Sequence, residues 1–165
     1  MSLVRRCAFV AAAAVCAACA MPASAALIMH KDLRLATAKT IAEEAVAACA
    51  AKTYAVSAVV VDRDGETIVE MRGDNAGIAT VENARRKAYT SVAFKEKTSD
   101  YAKKLEDPNS VVHQQVTLPN VIAIPGGVPI KAGDDIVGGV GVSGSPGVDE
   151  DCVNAALDKV KDDLQ

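Results

Sequence analysis

Aromatic side chains are scarce in this chain of 165 residues, which has no tryptophan, three tyrosines and two phenylalanines. Aromatic rings supply much of the apolar lining of deep ligand pockets, so their shortage argues against such a pocket. A flat ligand would instead have to lie on aliphatic and glycine surface, which we expect to be shared between subunits. There are two histidines, His30 and His113, and neither stands in an evident catalytic-triad context. A serine hydrolase is therefore not expected.

The chain also lacks an excess of basic residues, because its formal net charge is −3. Nucleic acids and anionic membrane surfaces select basic proteins, so we expect neither as a partner. An apolar run over residues 8–20 is too short to span a bilayer comfortably. Two arginines precede that run and an A-S-A cleavage pattern follows it, as in a secretory signal peptide. We therefore predict a cleaved leader over 1–25, one domain over 26–165 and a periplasmic or secreted protein, with an uncleaved membrane anchor as the alternative.

Cysteine is rare beyond the predicted leader, which takes three of the five cysteines and leaves Cys49 and Cys152. An even pair of cysteines in an exported protein favours a disulfide. This bridge would tie the first predicted helix to the last. Two buried free thiols are the alternative, whereas a zinc site is disfavoured because no histidine lies nearby in the sequence.

Short apolar runs separated by glycine and proline predict strands, and apolar residues recurring every three or four positions predict helices. Strands joined by tight turns are antiparallel neighbours, and Asp64-Gly65 is a typical hairpin turn. The sequence therefore predicts an α+β fold with a five-stranded antiparallel sheet flanked by helices, in the order α-β-β-α-α-β-β-β-α. The expected elements are helices over 32–51 (with Asp32 as N-cap), 78–94, 98–104 and 146–164, and strands over 54–62, 66–72, 121–124, 128–131 and 136–142.

A glycine-rich stretch, Gly139 to Gly144, matches G-x-G-x-x-G and precedes a predicted helix. A dinucleotide site would need a further strand and an acid about 20 residues on for the ribose, and no such strand is visible. The overlapping residues 141–145 fail as a nucleophile elbow, because the fifth residue is Ser145 and not glycine. We expect instead a strand that another backbone or a ligand approaches closely.

The chain contains four segments in a distinctive order and spacing: A-V-S-A-V-V-V-D-R-D-G at 55–65, R-R-K-A-Y-T at 85–90, P-G-G-V-P-I at 125–130 and G-G-V-G-V-S-G at 138–144. Together they resemble the GlcG/HbpS-like family, which also supplies the C-terminal domain of PduO-type proteins, over roughly Leu33 to Leu157. The resemblance implies an antiparallel five-stranded sheet, homo-oligomers from dimers to octamers, and haem as a ligand of several members. Other members bind free iron or corrinoids. The acid-x-x-Glu iron motif of the haem-sensing type is absent here, so ferric-ion binding is not expected.

A cationic cluster, Arg85-Arg86-Lys87, lies on the second predicted helix. Guanidinium groups hold carboxylates in a bidentate fashion, so haem propionates or a small organic acid would fit there. The alternative is a solvated helix face whose charges are paired with local acids.

Two side chains are candidate ligands for haem iron. Imidazole is the usual protein ligand and phenolate a rarer one, which points to His113 first and to Tyr89 second. The family resemblance adds Thr90 as a wall of the pocket. The alternatives are a surface histidine and a tyrosine that packs on the sheet, and His30 is expected to be solvated.

These features favour a binding protein that buffers, carries or senses haem, because the sequence shows no catalytic constellation. One alternative is an enzyme or accessory subunit that acts on a small carboxylate such as a 2-hydroxy acid. A haem-degrading activity and a purely structural subunit are further alternatives.

Overall fold

The computed structural model describes residues 27–165, and the predicted leader over 1–25 lies outside them. Four strands form one antiparallel sheet, and helices pack on both of its faces. No helix between residues 27 and 165 has the length and apolar character needed to cross a bilayer. The elements are helices α1 (Leu35–Ala50), α2 (Thr80–Ala93), α3 (Thr98–Lys103), α4 (Val112–Gln115) and α5 (Asp149–Lys159), and strands β1 (Ser57–Asp62), β2 (Thr67–Arg72), β3 (Gly127–Ala132) and β4 (Asp135–Ser143).

The sheet has the strand order β2-β1-β4-β3, and every neighbouring pair is antiparallel. The predicted α+β class is therefore confirmed, but the prediction of five strands is wrong. The missing strand is 121–124, which lies beside α2 without joining the sheet. Its polar backbone is held by side chains of α2, since Arg86 donates to the carbonyl of Val121 and Thr90 accepts from the N–H of Ile122. These bonds replace the ladder that a strand would need.

Side chains of the central strands point alternately to the two faces of the sheet, so each strand contributes to two cores. On one face Val60 and Val142 pack with residues of α1 and α5 in the main core. On the other face Val59 and Val61 meet alanines of α2 in a smaller cluster. A run of consecutive buried valines in β1 is explained by burial on both sides.

The disulfide prediction is confirmed, because Cys49 of α1 is bonded to Cys152 of α5 with a Cα–Cα distance of 5.4 Å. Both cysteines are fully buried. Small residues of α1, namely Ala38, Ala42 and Ala45, are also fully buried, whereas Leu35 at its start is exposed. The predicted cap is wrong, since Arg34 and not Asp32 occupies the N-cap and makes no side-chain bond there.

Gly127 of β3 and Gly139 and Gly141 of β4 lie directly beneath α2. A Cβ atom at Gly141 would lie 2.0 Å from the carbonyl oxygen of Ala84, and one at Gly127 would lie 2.2 Å from that of Lys87. No side chain fits in such a space, so helix backbone rests on strand backbone. The expected close approach to the glycine-rich strand is confirmed, and the approaching group is a helix.

We predict that Gly141→Ala destabilises the protein by about 1–3 kcal/mol or more, because the new methyl group must displace α2 backbone. The matched control is Gly77→Ala, whose Cβ would meet its nearest atom, in Thr80, at an ordinary 3.5 Å. Urea unfolding of both variants provides the measurement. Equal free energies of unfolding for the two variants would contradict the proposed packing.

We also predict that replacing both disulfide cysteines with alanine lowers the free energy of unfolding by about 2–5 kcal/mol. The chain from residue 26 onward contains two cysteines, so thiol counting on unreduced, denatured protein checks the bridge directly. The expected count is zero free thiols. A count of two would show that the bridge is not formed.

Candidate functional site

Helix α2 positions four of the five side chains predicted to bind a ligand, namely Arg85, Arg86, Tyr89 and Thr90. The helix lies this close to the sheet because its inner face carries small residues, including Ala84 and Ala88, which are fully buried. Long side chains on α2 must therefore leave the interface sideways or point away from the sheet. The fifth residue, His113, lies on the short helix α4.

Arg85 is held by the side chains of Glu82 and Asn120. Its Nε and Nη2 atoms donate to the two carboxylate oxygens of Glu82, both at 2.9 Å, and Nη2 also donates to Asn120 Oδ1 at 2.9 Å. The bond from Arg85 lowers the pKa of Glu82, and the same bond raises the pKa of Arg85, with smaller contributions from the charges of Glu66 and Glu70. A ligand carboxylate would have to compete with Glu82 for this guanidinium.

Arg86 is less fully engaged than its neighbour. Its Nη2 atom donates to the carbonyl of Val121 at 2.7 Å, and a guanidinium has five donors in all. The side chain is partly exposed. Of the two predicted arginines, Arg86 therefore has more donor capacity for an incoming carboxylate.

Thr90 lies beneath the irregular segment that follows α4. Its side chain is fully buried, and Oγ1 accepts a 2.9 Å hydrogen bond from the N–H of Ile122. Thr90 therefore positions the segment in this structure, and a ligand would reach the hydroxyl only if that segment moved.

Tyr89 belongs to a small aromatic cluster that is separate from the main core. Tyr101 and Val112 are buried in this cluster, and Tyr89 and Phe94 pack against it while remaining partly exposed. The rings of Phe94 and Tyr101 are stacked with centroids 4.4 Å apart. Burial raises the pKa of Tyr101. One side of the Tyr89 ring covers the β1–β2 turn, since a Cβ at Gly65 would lie 2.7 Å from it.

His113 is exposed, and its neighbour Val112 is one of the buried residues of the aromatic cluster. Its Nε2 atom lies 3.0 Å from the carbonyl oxygen of Asp107. Because a carbonyl can only accept, Nε2 carries the hydrogen, and in the neutral imidazole the lone pair then lies on Nδ1. Metal-binding histidines are commonly oriented by this kind of second hydrogen bond. The structure thus places both candidate iron ligands, Tyr89 and His113, on elements that share one cluster.

The third member of the predicted cationic cluster does not lie on the ligand-accessible surface. Lys87 is 1% exposed, and its Nζ donates to Asp149 Oδ2 at 2.8 Å and to the carbonyl of Val142 at 2.9 Å. Including Lys87 in a carboxylate-binding cluster was therefore wrong. The helical repeat could have shown this, because residue 87 follows the inward-facing Ala84 by three and precedes Ala88 by one.

The predicted site residues lie away from the clefts that we describe. Five open clefts between residues 27 and 165, with volumes of about 280–500 Å³, are all lined by other residues. Within 27–165, no three His, Cys, Asp or Glu side chains come together in a way that could hold a metal ion. A large planar ligand bound here would remain open to solvent on one side unless another molecule covered it.

Comparison with known proteins gives consistent results. The family description "Haem degrading protein HbpS-like" matches residues 33–158. A crystal structure of a double mutant of Streptomyces reticuli HbpS is 32% identical to this chain, covers 94% of it and 99% of its own length, and gives a TM-score of 0.77. The crystal structure of a PduOC:heme complex shares the fold, with 24% identity, coverage of 78% of this chain and 94% of its own, and a TM-score of 0.72.

A curated relative is also similar, the uncharacterized 15.0 kDa protein in the dhaT-dhaS intergenic region of Citrobacter freundii. It is 28% identical over 113 residues, which are 68% of this chain and 80% of the relative. The family match covers most of the chain and nearly all of the described fold. This chain therefore belongs to the HbpS-like family.

Proposed function

We propose that this protein binds haem on the surface formed by α2, α4 and residues 118–125. The observation that carries the proposal is the setting of His113, an exposed imidazole whose Nε2 is held by a backbone carbonyl so that the lone pair lies on Nδ1. The family description supports haem as the ligand. A further support is that PduOC, which has the same fold, was crystallised with haem.

Three of the predicted residues, His113, Tyr89 and Arg86, have distinct roles in this proposal. His113 ligates the iron, and Tyr89, on the adjoining aromatic cluster, is the second candidate for that role. Arg86 binds a propionate through its unused donors, whereas Arg85 is largely neutralised by Glu82. The apolar face of the ring system contacts exposed aliphatic side chains of the same surface, among them Leu118 and Ile124.

A second copy of the chain completes the site in our proposal. The surface is open, and residues 27–165 contribute few aromatic side chains to cover a porphyrin. Burying the outer face of a large apolar ring would gain roughly 25 cal/mol for each Å² removed from water. A homo-oligomer that places this surface at an interface would supply that burial.

The physiological role that we propose is buffering, carriage or sensing of haem outside the cytoplasm. It rests on the predicted leader over 1–25, which is typical of exported proteins. Haem degradation, which the family description names, is a second candidate. Binding of a small carboxylate such as a 2-hydroxy acid is a third, and the unused donors of Arg86 are the feature that favours it.

A hemin titration of the chain from residue 26 onward, followed by absorption, tests the proposal. We expect a saturable Soret band. His113→Ala should raise the dissociation constant for hemin at least about tenfold, a loss of about 1.4 kcal/mol of binding free energy. Arg86→Gln should weaken binding by a similar factor, because it removes a charge-assisted bond to a propionate. His30→Ala is the matched control and should bind as the unaltered protein does.

The possible outcomes distinguish a wrong ligand from a wrongly assigned iron-binding residue. Without a saturable band, haem binding is wrong, and thermal-shift screening with small organic acids then tests the carboxylate alternative. If hemin binds but His113→Ala has no effect, the ligand is right and the assigned iron ligand is wrong. Tyr89→Phe, which removes only the phenolic oxygen, then tests the second candidate.

A further inference from the structure

A continuous series of buried contacts connects the disulfide to helix α2. Cys49 Sγ lies 3.1 Å from Ser145 Oγ. This is a packing contact and not a hydrogen bond, because the bridged sulfur has no hydrogen and the Ser145 hydroxyl donates its own to Asp149. The hydroxyl and the backbone N–H of Ser145 both donate to Asp149 Oδ1, at 2.7 and 2.9 Å. The other oxygen of Asp149 accepts the 2.8 Å bond from Lys87 Nζ. These groups are at most 6% exposed, so water does not weaken their interactions.

Helix α5 carries both a cysteine of the disulfide and the aspartate that binds Lys87. Cys152 follows Asp149 by three residues, so both side chains lie on the same face of the first turns of α5. The disulfide fixes Cys152 against α1, and thereby also fixes the turn that carries Asp149. A buried ion pair stabilises only when its geometry is maintained, because an unpaired buried charge is strongly unfavourable. The position of Lys87 therefore depends on the bridge.

A shift of Lys87 would be transmitted to the rest of α2. The carbonyl of Lys87 lies against Gly127, and the carbonyl of Ala84 lies against Gly141, at distances that leave no room for a Cβ. Such backbone-on-backbone packing cannot absorb a displacement by moving a side chain. Arg86, which neighbours Lys87, and Tyr89, two residues further on, would move with the helix.

We propose that the Cys49–Cys152 disulfide, acting through Ser145, Asp149 and Lys87, sets the ligand affinity of the outward surface of α2. The bridged protein holds α2 in its binding position, and the dithiol form holds it loosely and binds weakly. This inference rests on the proposed function. Lys87 and Asp149 are positioning residues in this scheme and do not touch the ligand.

The redox step is an ordinary thiol–disulfide exchange. When the bridge forms, Cys49 and Cys152 each lose one hydrogen atom, and a sulfur–sulfur bond joins them. The two electrons and two protons pass to a disulfide-bearing oxidant, which becomes a dithiol. The protein would thus gain its full ligand affinity only after reaching an oxidising compartment, which suits the predicted leader.

The test compares five forms of the chain from residue 26 onward, which contains every helix and strand described. They are the unaltered protein, the double variant Cys49→Ala/Cys152→Ala, Ser145→Ala, the triple variant that combines these three substitutions, and the control Val153→Ala. Ser145→Ala keeps the bridge and removes the hydroxyl that contacts Cys49 and donates to Asp149. Val153→Ala removes buried volume from α5 and leaves the bridge, Ser145, Asp149 and Lys87 unaltered. Hemin affinity and amide hydrogen exchange of α2 are the two readouts.

We expect the double cysteine variant to bind hemin at least about tenfold more weakly, a change of about 1.4 kcal/mol, and to lose exchange protection in α2. Ser145→Ala should show the same changes in part, and adding it to the double variant should cause little further loss. Val153→Ala should lower the melting temperature and leave the hemin affinity unchanged. If the double variant is too unstable to fold, Ser145→Ala alone decides the outcome.

Unchanged hemin affinity and unchanged α2 protection in a folded variant that lacks the bridge or Ser145 would overturn the proposal. The bridge would then only stabilise the fold. If the unaltered protein does not bind hemin, the proposed function fails, and the exchange measurement still decides whether the bridge controls α2. Unaltered α2 protection in that experiment would refute the coupling independently of any ligand.

Discussion

The contact between helix α2 and the glycine-lined face of β3 and β4 is the constraint on which most of the structure depends. Because Gly127 and Gly141 have no side chains, the helix lies with its carbonyl oxygens against strand backbone. This proximity determines which α2 side chains can remain at the interface. Alanines stay there, Lys87 is directed to a buried partner, and Arg85, Arg86 and Tyr89 are left for the outer surface.

The outer surface of α2 has a second neighbour, the irregular segment after α4. Arg86 and Thr90 bind its backbone and give it an ordered path without a strand partner. The same segment and α4 bring His113 and the aromatic cluster to the helix. Helix packing and side-chain-to-backbone bonds together assemble the surface to which we assign the proposed haem site.

Much of the fold could be predicted from local patterns. Short-range preferences predict β1 from its consecutive valines and the hairpin turn from Asp64-Gly65. A simple rule about exported proteins predicts the bridge between Cys49 and Cys152. The predicted strand at 121–124 was wrong for a long-range reason. Its apolar pattern is that of a strand, but side chains 32 and 35 positions away occupy two of its backbone hydrogen-bonding groups. No local pattern contains that information.

The candidate site shows the same difference between local patterns, which the sequence reveals, and long-range contacts, which it does not. The sequence alone places Arg85, Arg86, Tyr89 and Thr90 on one predicted helix, and it singles out His113 because histidine is rare in this chain. It could not show that Glu82 neutralises Arg85 or that Lys87 is buried with Asp149, which lies 62 positions away. Those outcomes depend on which face of α2 meets the sheet, and tertiary packing decides that face.

A crystal structure of the protein with bound hemin tests the central claim most directly. The account predicts iron bonded to a side-chain atom of His113 or Tyr89, a propionate against Arg86, and a second copy of the chain over the exposed face of the ring. Hemin bound at another surface, with the α2–α4 surface unoccupied, would contradict it.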